Sequence, residues 1–476
     1  MKRCSRKDAG ANARRTESQF EVLHPDAAGI DVGGSEMWVA VPEGRSELSV
    51  RQFGTDTVEL EAIAAWLKHC AVTTVAMEST GVYWIALFQV LENHGLEVYL
   101  VNARHVKNVP GRRKTDRLDC RWLQKLHASG LLSASFRPPA EICRLRSYLR
   151  HRGNLIRAMS KQVQYMQKAL REMNVLLDQA VSDVTGLSGM RIMDAILGGE
   201  RDPKRLAALA DRRVKKSAEQ IARMLQGDYR AEHLFVLHQA LESYRFFQNQ
   251  LQNCDRQVEQ YLVELERVAG RQNVPLPEAG LTGREKRRGH APDYEVQEHL
   301  YRLLGIDLTR IPGIAAATAQ ALVSETGIDM DRWPTAKHFA SWLDLCPLPK
   351  VSGGQVIGNT RRHAQNRAGQ LFRQAASTLY RSPSWLGAFF RRMKARLGGN
   401  SATKAAAHKL ALVYYHMMET RTEYRELGGA EYEERFRLRQ IRNLQRRAGQ
   451  LGFELRPQGT CDPNPRPDVP LVAVTA

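Results

Sequence analysis

The chain has 476 residues, enough for two or three domains, and a hydrophobic content of 43% with a mean hydropathy of -0.43 is typical of a soluble globular protein. No stretch approaches the roughly 18 to 20 apolar residues that cross a bilayer, and the seven cysteines form no CxxC pair, so we expect no membrane span, zinc ribbon or disulfide framework, but reduced thiols in the cytoplasm. The 70 Lys and Arg residues against 51 Asp and Glu give a net charge of +19, which favours nucleic acid as a partner.

The N-terminal part of the sequence predicts an α/β domain over residues 23–138, preceded by a disordered basic arm over residues 1–22. Its patterns follow the order three strands, helix, strand, helix, strand, helix, which predicts a mixed α/β sheet. Thr57 and Thr115 begin two of the helical patterns as N-cap candidates, and Gly130 ends the last.

The middle of the sequence predicts an all-α region. Two long amphipathic patterns, 141–175 and 231–268, predict an antiparallel helical arm or coiled coil over residues 139–269. A linker is predicted over residues 270–298, since its first part carries Gly, Pro and charge without periodicity.

The C-terminal part predicts a mostly helical domain over residues 299–427. Ile311-Pro312-Gly313-Ile314 resembles the turn of a helix-hairpin-helix, in which Gly313 permits a tight turn and the next helix offers free amides to a DNA phosphate; a plain joint between helices is the alternative. Residues 428–476 predict a basic helix and tail, whose arginines either grip nucleic acid or solvate the helix.

The basic charge is concentrated in the C-terminal part. From Leu345 to Met418 there is no Asp or Glu, while twelve Lys and Arg residues give +12. A solvated face normally mixes both signs, so this segment predicts a surface that binds a polyanion.

Four carboxylates occupy positions typical of a metal site. Asp31 lies in the first predicted strand, Glu78 ends the fourth, and Asp116 and Asp119 share one face at the start of the last helix of the α/β domain. Hard oxygen ligands in this arrangement suit Mg²⁺ or Mn²⁺, and the neighbouring Arg112, Arg113 and Lys114 would hold phosphates. Alternatively, Asp116 is a first-turn acid and Asp31 a turn residue.

The motifs GIDVGG, MESTGVYW and KTDRLD, in this order, resemble those of the DEDD transposases of the insertion-sequence one-ten family, also called bridge recombinases, and most closely its eleven-eleven subgroup. The resemblance runs from about residue 24 to about residue 418. It implies a RuvC-like domain of RNase H fold, a helical arm and a transposase domain, with Asp31, Glu78, Asp116 and Asp119 as the metal site.

The same resemblance implies a serine nucleophile, Ser352, in the stretch PLPKVSGGQVIGNTRR. Four cations would hold the phosphate beside it: Lys350, Arg361, Arg362 and Arg367. The implied partners are donor and target double-stranded DNA, a structured noncoding guide RNA and further copies of the chain in a dimer or tetramer. From the residues alone, Ser352 is a serine in a glycine turn.

Two other functions stay open from the sequence. A RuvC-like structure-specific nuclease would hydrolyse DNA with water through the four carboxylates and would not need Ser352. A nucleic-acid-binding protein without catalytic activity would need neither.

Overall fold

The computed structural model of the protein describes residues 22–79, 81–102, 115–272, 274–277, 289–360 and 366–455. The chain forms two compact units, an N-terminal unit up to Arg137 and a C-terminal unit from Pro138. In the described part of the chain, no helix is long and apolar enough to cross a membrane.

The N-terminal unit contains a five-stranded sheet with helices on both faces. Its strands are β1 (Ala27–Val32), β2 (Met37–Ala40), β3 (Val50–Phe53), β4 (Thr74–Glu78) and β5 (Glu97–Val101), and its described helices are α1 (Thr57–His69), α2 (Trp84–Asn93) and α3 (Asp116–Ala128). The strand order is β3-β2-β1-β4-β5, and β2 runs in the direction opposite to the other four strands. The predicted mixed α/β sheet is confirmed.

The two faces of the sheet are distinguished by the alternation of side chains along β1 and β4. Ile30 and Met77 belong to the main core with residues of α1 and α2, whereas Ala76 packs with Leu123 of α3. α3 therefore covers the opposite face of the sheet.

The helix caps follow the predictions in part. Thr115 is the N-cap of α3 and accepts a hydrogen bond from the Leu118 amide, as predicted. The prediction of Thr57 as a cap was wrong, because Asp56 precedes it and accepts from the Glu59 amide at 3.1 Å. Asp and Thr are both good caps, and sequence alone does not separate adjacent candidates.

The C-terminal end of α3 is held by a buried histidine. His127 Nε2 lies 2.9 Å from Thr74 Oγ1, and the His127 ring stacks on His24 with centroids 5.2 Å apart. Burial, and secondarily the charge of His24, lower the pKa of His127 from 6.5 to about 4. His127 is therefore neutral at physiological pH.

The C-terminal unit begins with two long helices, α4 (Ala140–Glu172) and α9 (Ala231–Val268). Tyr261 donates to the Glu141 carbonyl at 2.8 Å, and Arg152 forms a buried ion pair with Asp255. The N-terminal part of α4 thus packs against the C-terminal part of α9, and the predicted antiparallel pairing is confirmed.

Four short helices lie between α4 and α9: α5 (Leu177–Ala180), α6 (Leu187–Leu197), α7 (Pro203–Ala208) and α8 (Ala218–Met224). The Asp228 amide donates to the Met173 carbonyl at 2.8 Å, and the Leu176 amide donates to the Met224 carbonyl at 2.8 Å. The chain therefore enters and leaves this group of helices at the same place.

The rest of the C-terminal unit is mostly helical. Its helices are α10 (Val296–Leu304), α11 (Ala316–Thr326), α12 (Ala336–Trp342), α13 (Arg367–Thr378), α14 (Trp385–Leu397), α15 (Gly399–Thr420) and α16 (Gly429–Gln450), with 3-10 turns at Leu308–Arg310 and Leu379–Arg381. The rings of Phe339, Phe372 and Tyr414 form the centre of its core. A β-hairpin, β6 (Leu348–Ser352) and β7 (Gln355–Thr360), interrupts the helices.

Candidate active site

The strand register places Asp31 next to Glu78. β1 and β4 run parallel, with Gly29 opposite Ala76 and Ile30 opposite Met77, and the next residue on each strand is Asp31 and Glu78. Neighbouring strands lie about 4.8 Å apart, and residues two apart on a strand face the same side. Asp31 therefore faces the same side as Gly29, and Glu78 the same side as Ala76, which is the side that α3 covers.

α3 approaches β1 very closely, with its chain direction opposite to that of the strand. A Cβ added to Gly29 would lie 2.3 Å from the Gln124 amide nitrogen and 2.4 Å from the Cys120 carbonyl oxygen. Gln124 Nε2 also donates to the Ala27 carbonyl at 3.2 Å. The start of α3 therefore lies at the end of the sheet where Asp31 and Glu78 stand.

Asp116 and Asp119 belong to the side of α3 that faces the sheet. The buried residues of the helix include Cys120, Leu123 and His127, and Asp116 and Asp119 precede Cys120 and Leu123 by four positions each. Residues four apart share a helix face. Asp116 is exposed and Asp119 half-buried, so these carboxylates lie where the buried stripe reaches solvent. All four carboxylates thus lie at one edge of the N-terminal unit.

The pKa of the buried Cys120 thiol is raised in this environment. Its pKa is raised to about 12, mainly because burial disfavours the thiolate, with a further increase from the negative charge of Asp31. Cys120 is therefore a neutral packing residue.

The chemistry of this edge fits a hard divalent cation, since four carboxylates offer only oxygen donors and the first turn of a helix tolerates their charge. Among the residues that the structure describes, no three Asp, Glu, His or Cys side chains approach closely enough to form a ready-made ligand cluster. The backbone brings the four positions to one edge, and their side chains are not drawn together into a coordination sphere.

Part of the predicted phosphate-binding set falls outside the described residues. These are Arg112, Arg113, Lys114, Arg361 and Arg362. Arg367 is described as an exposed residue in the first turn of α13, next to the N-cap Asn366, whose side chain accepts from the Gly369 amide at 3.1 Å.

Ser352 ends strand β6 at the tip of the hairpin. It pairs with Gln355, and the two residues between them, Gly353 and Gly354, have φ values of +56° and +76°. Two consecutive positive φ values define a type I′ turn. Ser352 and Lys350 are both exposed.

Gly313 has a packing role that the sequence did not reveal. Its φ is +89°, and an added Cβ would lie 2.8 Å from the Ala375 carbonyl at the end of α13. The predicted helix before this turn is a 3-10 turn, Leu308–Arg310, and the preceding α-helix, α10, ends at Leu304. The expected pair of α-helices around the turn was therefore wrong, while α11 does begin three residues after Gly313.

Sequence reasoning missed two structural features of the site. The sequence analysis placed Ser352 in a glycine turn but did not predict the two strands around it, although Gly-Gly between Val351-Ser352 and Gln355-Val356 is a recognised hairpin signal. The contact of Gly29 with α3 had only the signal of a glycine inside a strand.

Comparison with known families agrees with this architecture. Residues 28–175 match a family model of DEDD type described as transposase, and residues 307–391 match the model of the transposase IS116/IS110/IS902 family. No curated protein sequence matches the chain. Both models describe transposases, so the chain is an enzyme that cleaves and rejoins DNA. The first match contains Asp31, Glu78, Asp116 and Asp119, and the second contains Ser352.

The two transposase models match separate parts of the chain and together support an IS110-family transposase. DEDD transposases act with divalent metal ions, in agreement with the oxygen donors at the edge of the sheet.

Proposed function

We propose that this transposase exchanges DNA strands with two sets of residues, a Mg²⁺ site formed by Asp31, Glu78, Asp116 and Asp119 and a nucleophile, Ser352. The observation that carries the proposal is the convergence of the four carboxylates at the α3-covered edge of the sheet, inside the DEDD match. The strand order, with β2 alone antiparallel, supports a RuvC-like RNase H fold for this unit.

The metal site would be formed by carboxylates from two strands and one helix at this edge of the sheet. Asp31 and Glu78 would supply oxygen ligands from adjacent strands, and Asp116 and Asp119 from successive turns of α3. A bound Mg²⁺ would neutralise charge on a phosphodiester and polarise it toward attack. Mn²⁺ has the same preference for oxygen and would substitute.

The nucleophile is Ser352. Its Oγ forms an ester with the DNA phosphorus, its proton passes to a base, and the bond from phosphorus to the leaving 3′ oxygen breaks, with protonation of that oxygen. A 3′ hydroxyl of the other duplex then attacks the phosphoserine, which restores a phosphodiester and returns the proton to Ser352. The number of phosphate esters is unchanged, so no energy source is needed.

The exposure of Ser352 and Lys350 at the hairpin tip supports this role, because the reacting group must reach a duplex. Lys350 and Arg367, with Arg361 and Arg362, would hold the phosphate. The proposed complex is a homodimer or homotetramer that holds two DNA duplexes and a structured noncoding RNA, which pairs with donor and target DNA. The excess of cations supports contacts to the backbones of both nucleic acids.

The decisive experiment traps the covalent intermediate. The purified full-length protein is mixed with Mg²⁺, labelled DNA that carries the junction of the element, and RNA transcribed from the flanking noncoding region, and the products are separated under denaturing conditions. We expect a DNA–protein adduct that requires the RNA and disappears in Ser352→Ala.

Matched controls use Ser401→Ala, an exposed serine of the same basic segment, and Glu47→Gln, an exposed acid of the N-terminal unit. Both should preserve the adduct, whereas Asp116→Asn should abolish it. Cleaved DNA without an adduct, unchanged in Ser352→Ala but lost in Asp116→Asn, would identify a metal nuclease that uses water. An adduct that forms equally well without RNA would remove the guide RNA from the proposal.

A further inference from the structure

The last helix, α16, lies outside both family matches and has an unusual distribution of charge. Residues 435–453 contain no Asp or Glu and six arginines. Four of the arginines are spaced by four, three and four residues and therefore lie in one row along the helix: Arg435, Arg439, Arg442 and Arg446. This arginine row spans about 16 Å at the usual rise per residue.

Within the described part of the chain, the ring contacts between α16 and the rest of its unit lie at the beginning of the helix. The guanidinium of Arg392, from α14, lies 3.7 Å from the ring centroid of Phe436 and 4.9 Å from that of Tyr432. The Trp385 ring also packs against Tyr432, with centroids 5.6 Å apart. Beyond Phe436, α16 extends for nearly four turns, and no residue of the whole helix is buried.

Among the described residues, the acidic partners of α16 lie in its first two turns. Arg435 pairs with Glu431 at 2.6 Å, and Arg437 lies 4.0 Å from Glu434. Within the described residues, Arg439, Arg442 and Arg446 have no ion pair, and all three are exposed. These arginines are exposed and have no acidic partner in their own unit among the described residues. Their charge is therefore available to an external anion.

We propose that the arginine row of α16 is a second DNA-contact surface that binds successive phosphates along one strand of a duplex, in addition to the basic segment of residues 345–418. A guanidinium matches the geometry of a phosphate, and the regular spacing of the row suits a repeating anion more than a single acidic side chain. The inference rests on the proposed function only in requiring that the protein engages duplex DNA.

The test compares two double variants of the full-length protein that carry the same change of charge on the same helix. Arg442→Gln with Arg446→Gln removes half of the row, whereas Arg437→Gln with Arg447→Gln removes two arginines that lie off the row. Glutamine has a helix propensity close to that of arginine, so helix content and melting should match wild type in both. Binding to a labelled random-sequence DNA duplex is measured over a series of KCl concentrations.

We expect the row variant to bind on the order of tenfold more weakly and to lose about 1.8 from the slope of log K against log salt, since each phosphate contact contributes about 0.9. The off-row variant should keep the wild-type slope. Equal losses in both variants would show diffuse attraction, and no loss in either would remove α16 from the DNA surface; each result overturns the proposal.

Two further outcomes separate this inference from the proposed function. In a parallel titration, the affinities of wild type and the row variant for a hairpin RNA are compared. If the row variant binds the RNA more weakly than wild type but binds the DNA duplex equally well, the assignment to DNA is overturned. If the wild-type protein binds duplex DNA and forms the adduct, and the row variant binds DNA as tightly as wild type, only the α16 inference fails. If the wild-type protein binds no duplex DNA, the proposed function fails with it.

Discussion

Asp31 and Glu78 extend from two central strands of a five-stranded sheet, whereas Ser352 ends the first strand of a separate two-stranded hairpin. The sheet is covered by helices on both faces, so the positions of its carboxylates are fixed by a packed core. The hairpin instead exposes apolar side chains, with Val351 58% and Ile357 68% exposed. A two-stranded hairpin is marginally stable in water, so its turn has to define its shape.

This contrast separates two ways of presenting a reactive group. In the proposed mechanism, the carboxylates keep a common geometry for a cation, which a rigid scaffold provides. In the same mechanism, the serine reaches a phosphodiester inside a large ligand, which a protruding hairpin permits. Substitutions in the two regions should therefore fail for different reasons.

The largest expected effect is the loss of activity on removing one group from each region. Asp31→Asn and Ser352→Ala should each reduce strand cleavage and exchange by about a thousandfold or more. Calorimetric titration with Mn²⁺ should then divide them, because Asp31→Asn loses Mn²⁺ binding and Ser352→Ala keeps it. Retained Mn²⁺ affinity in Asp31→Asn would place the metal elsewhere.

The next effect concerns packing beneath the carboxylates. Gly29→Ala should destabilise the N-terminal unit by about 3 kcal/mol or more, because its Cβ would overlap backbone atoms of α3 that cannot rotate away. Gly358→Ala in β7 is the matched control, since an added Cβ there meets no atom within 4 Å. Hydrogen exchange of the α3 amides measures the difference, and equal protection in both variants would contradict the close packing.

A smaller effect is the dependence of the stability of α3 on pH. The pKa of His127 is about 4 in the folded protein and 6.5 in an unfolded chain, so the unfolded chain binds more protons between these values. The stability contributed by neutral His127 is complete above pH 6.5 and falls by on the order of 2 to 3 kcal/mol as the pH drops to about 4.

Exchange of the α3 amides, corrected for the intrinsic effect of pH, should show this loss in wild type. The loss should be nearly absent in His127→Gln and unchanged in His69→Gln, which alters an exposed histidine at the end of α1. A flat wild-type profile over this range would mean that His127 is solvated.

The smallest effect tests the turn of the hairpin. Gly353→Val forces a β-branched residue into a positive φ and should destabilise the hairpin by about 1 to 2 kcal/mol. Gly353→Asn creates Asn-Gly, the preferred pair for a type I′ turn, and should preserve both the hairpin and strand exchange. Backbone chemical shifts of β6 and β7 report the outcome, and equal behaviour of Val and Asn would exclude this turn type.

Much of the N-terminal site could be predicted because its signals are local. The strand around Asp31, the strand that ends at Glu78 and the Thr115 cap before Asp116 each depend on a few neighbouring residues, and parallel strands bring their ends to one edge. The distance from Gly29 to α3 could not be predicted, because it depends on a contact between residues more than ninety positions apart.

The C-terminal site was less predictable. Gly313 was interpreted from its motif as a DNA contact, but its positive φ also serves packing against the Ala375 carbonyl, which only the tertiary structure reveals. The six arginines of residues 435–453 were evident in the sequence. That Arg439, Arg442 and Arg446 have no ion pair within the described residues depends on the tertiary structure.

The hydrogen bond between Asp228 and Met173 has a consequence for how this chain can change during evolution. Residues 174–227 leave the long helices and return to them at one point, so their length is uncoupled from the register of α4 and α9. Insertions, deletions or replacement of this segment by a different small fold would leave the pairing of Arg152 with Asp255 intact. From residue 176 onward the segment also lies between the two family matches, where recognition of the family imposes no constraint on its sequence.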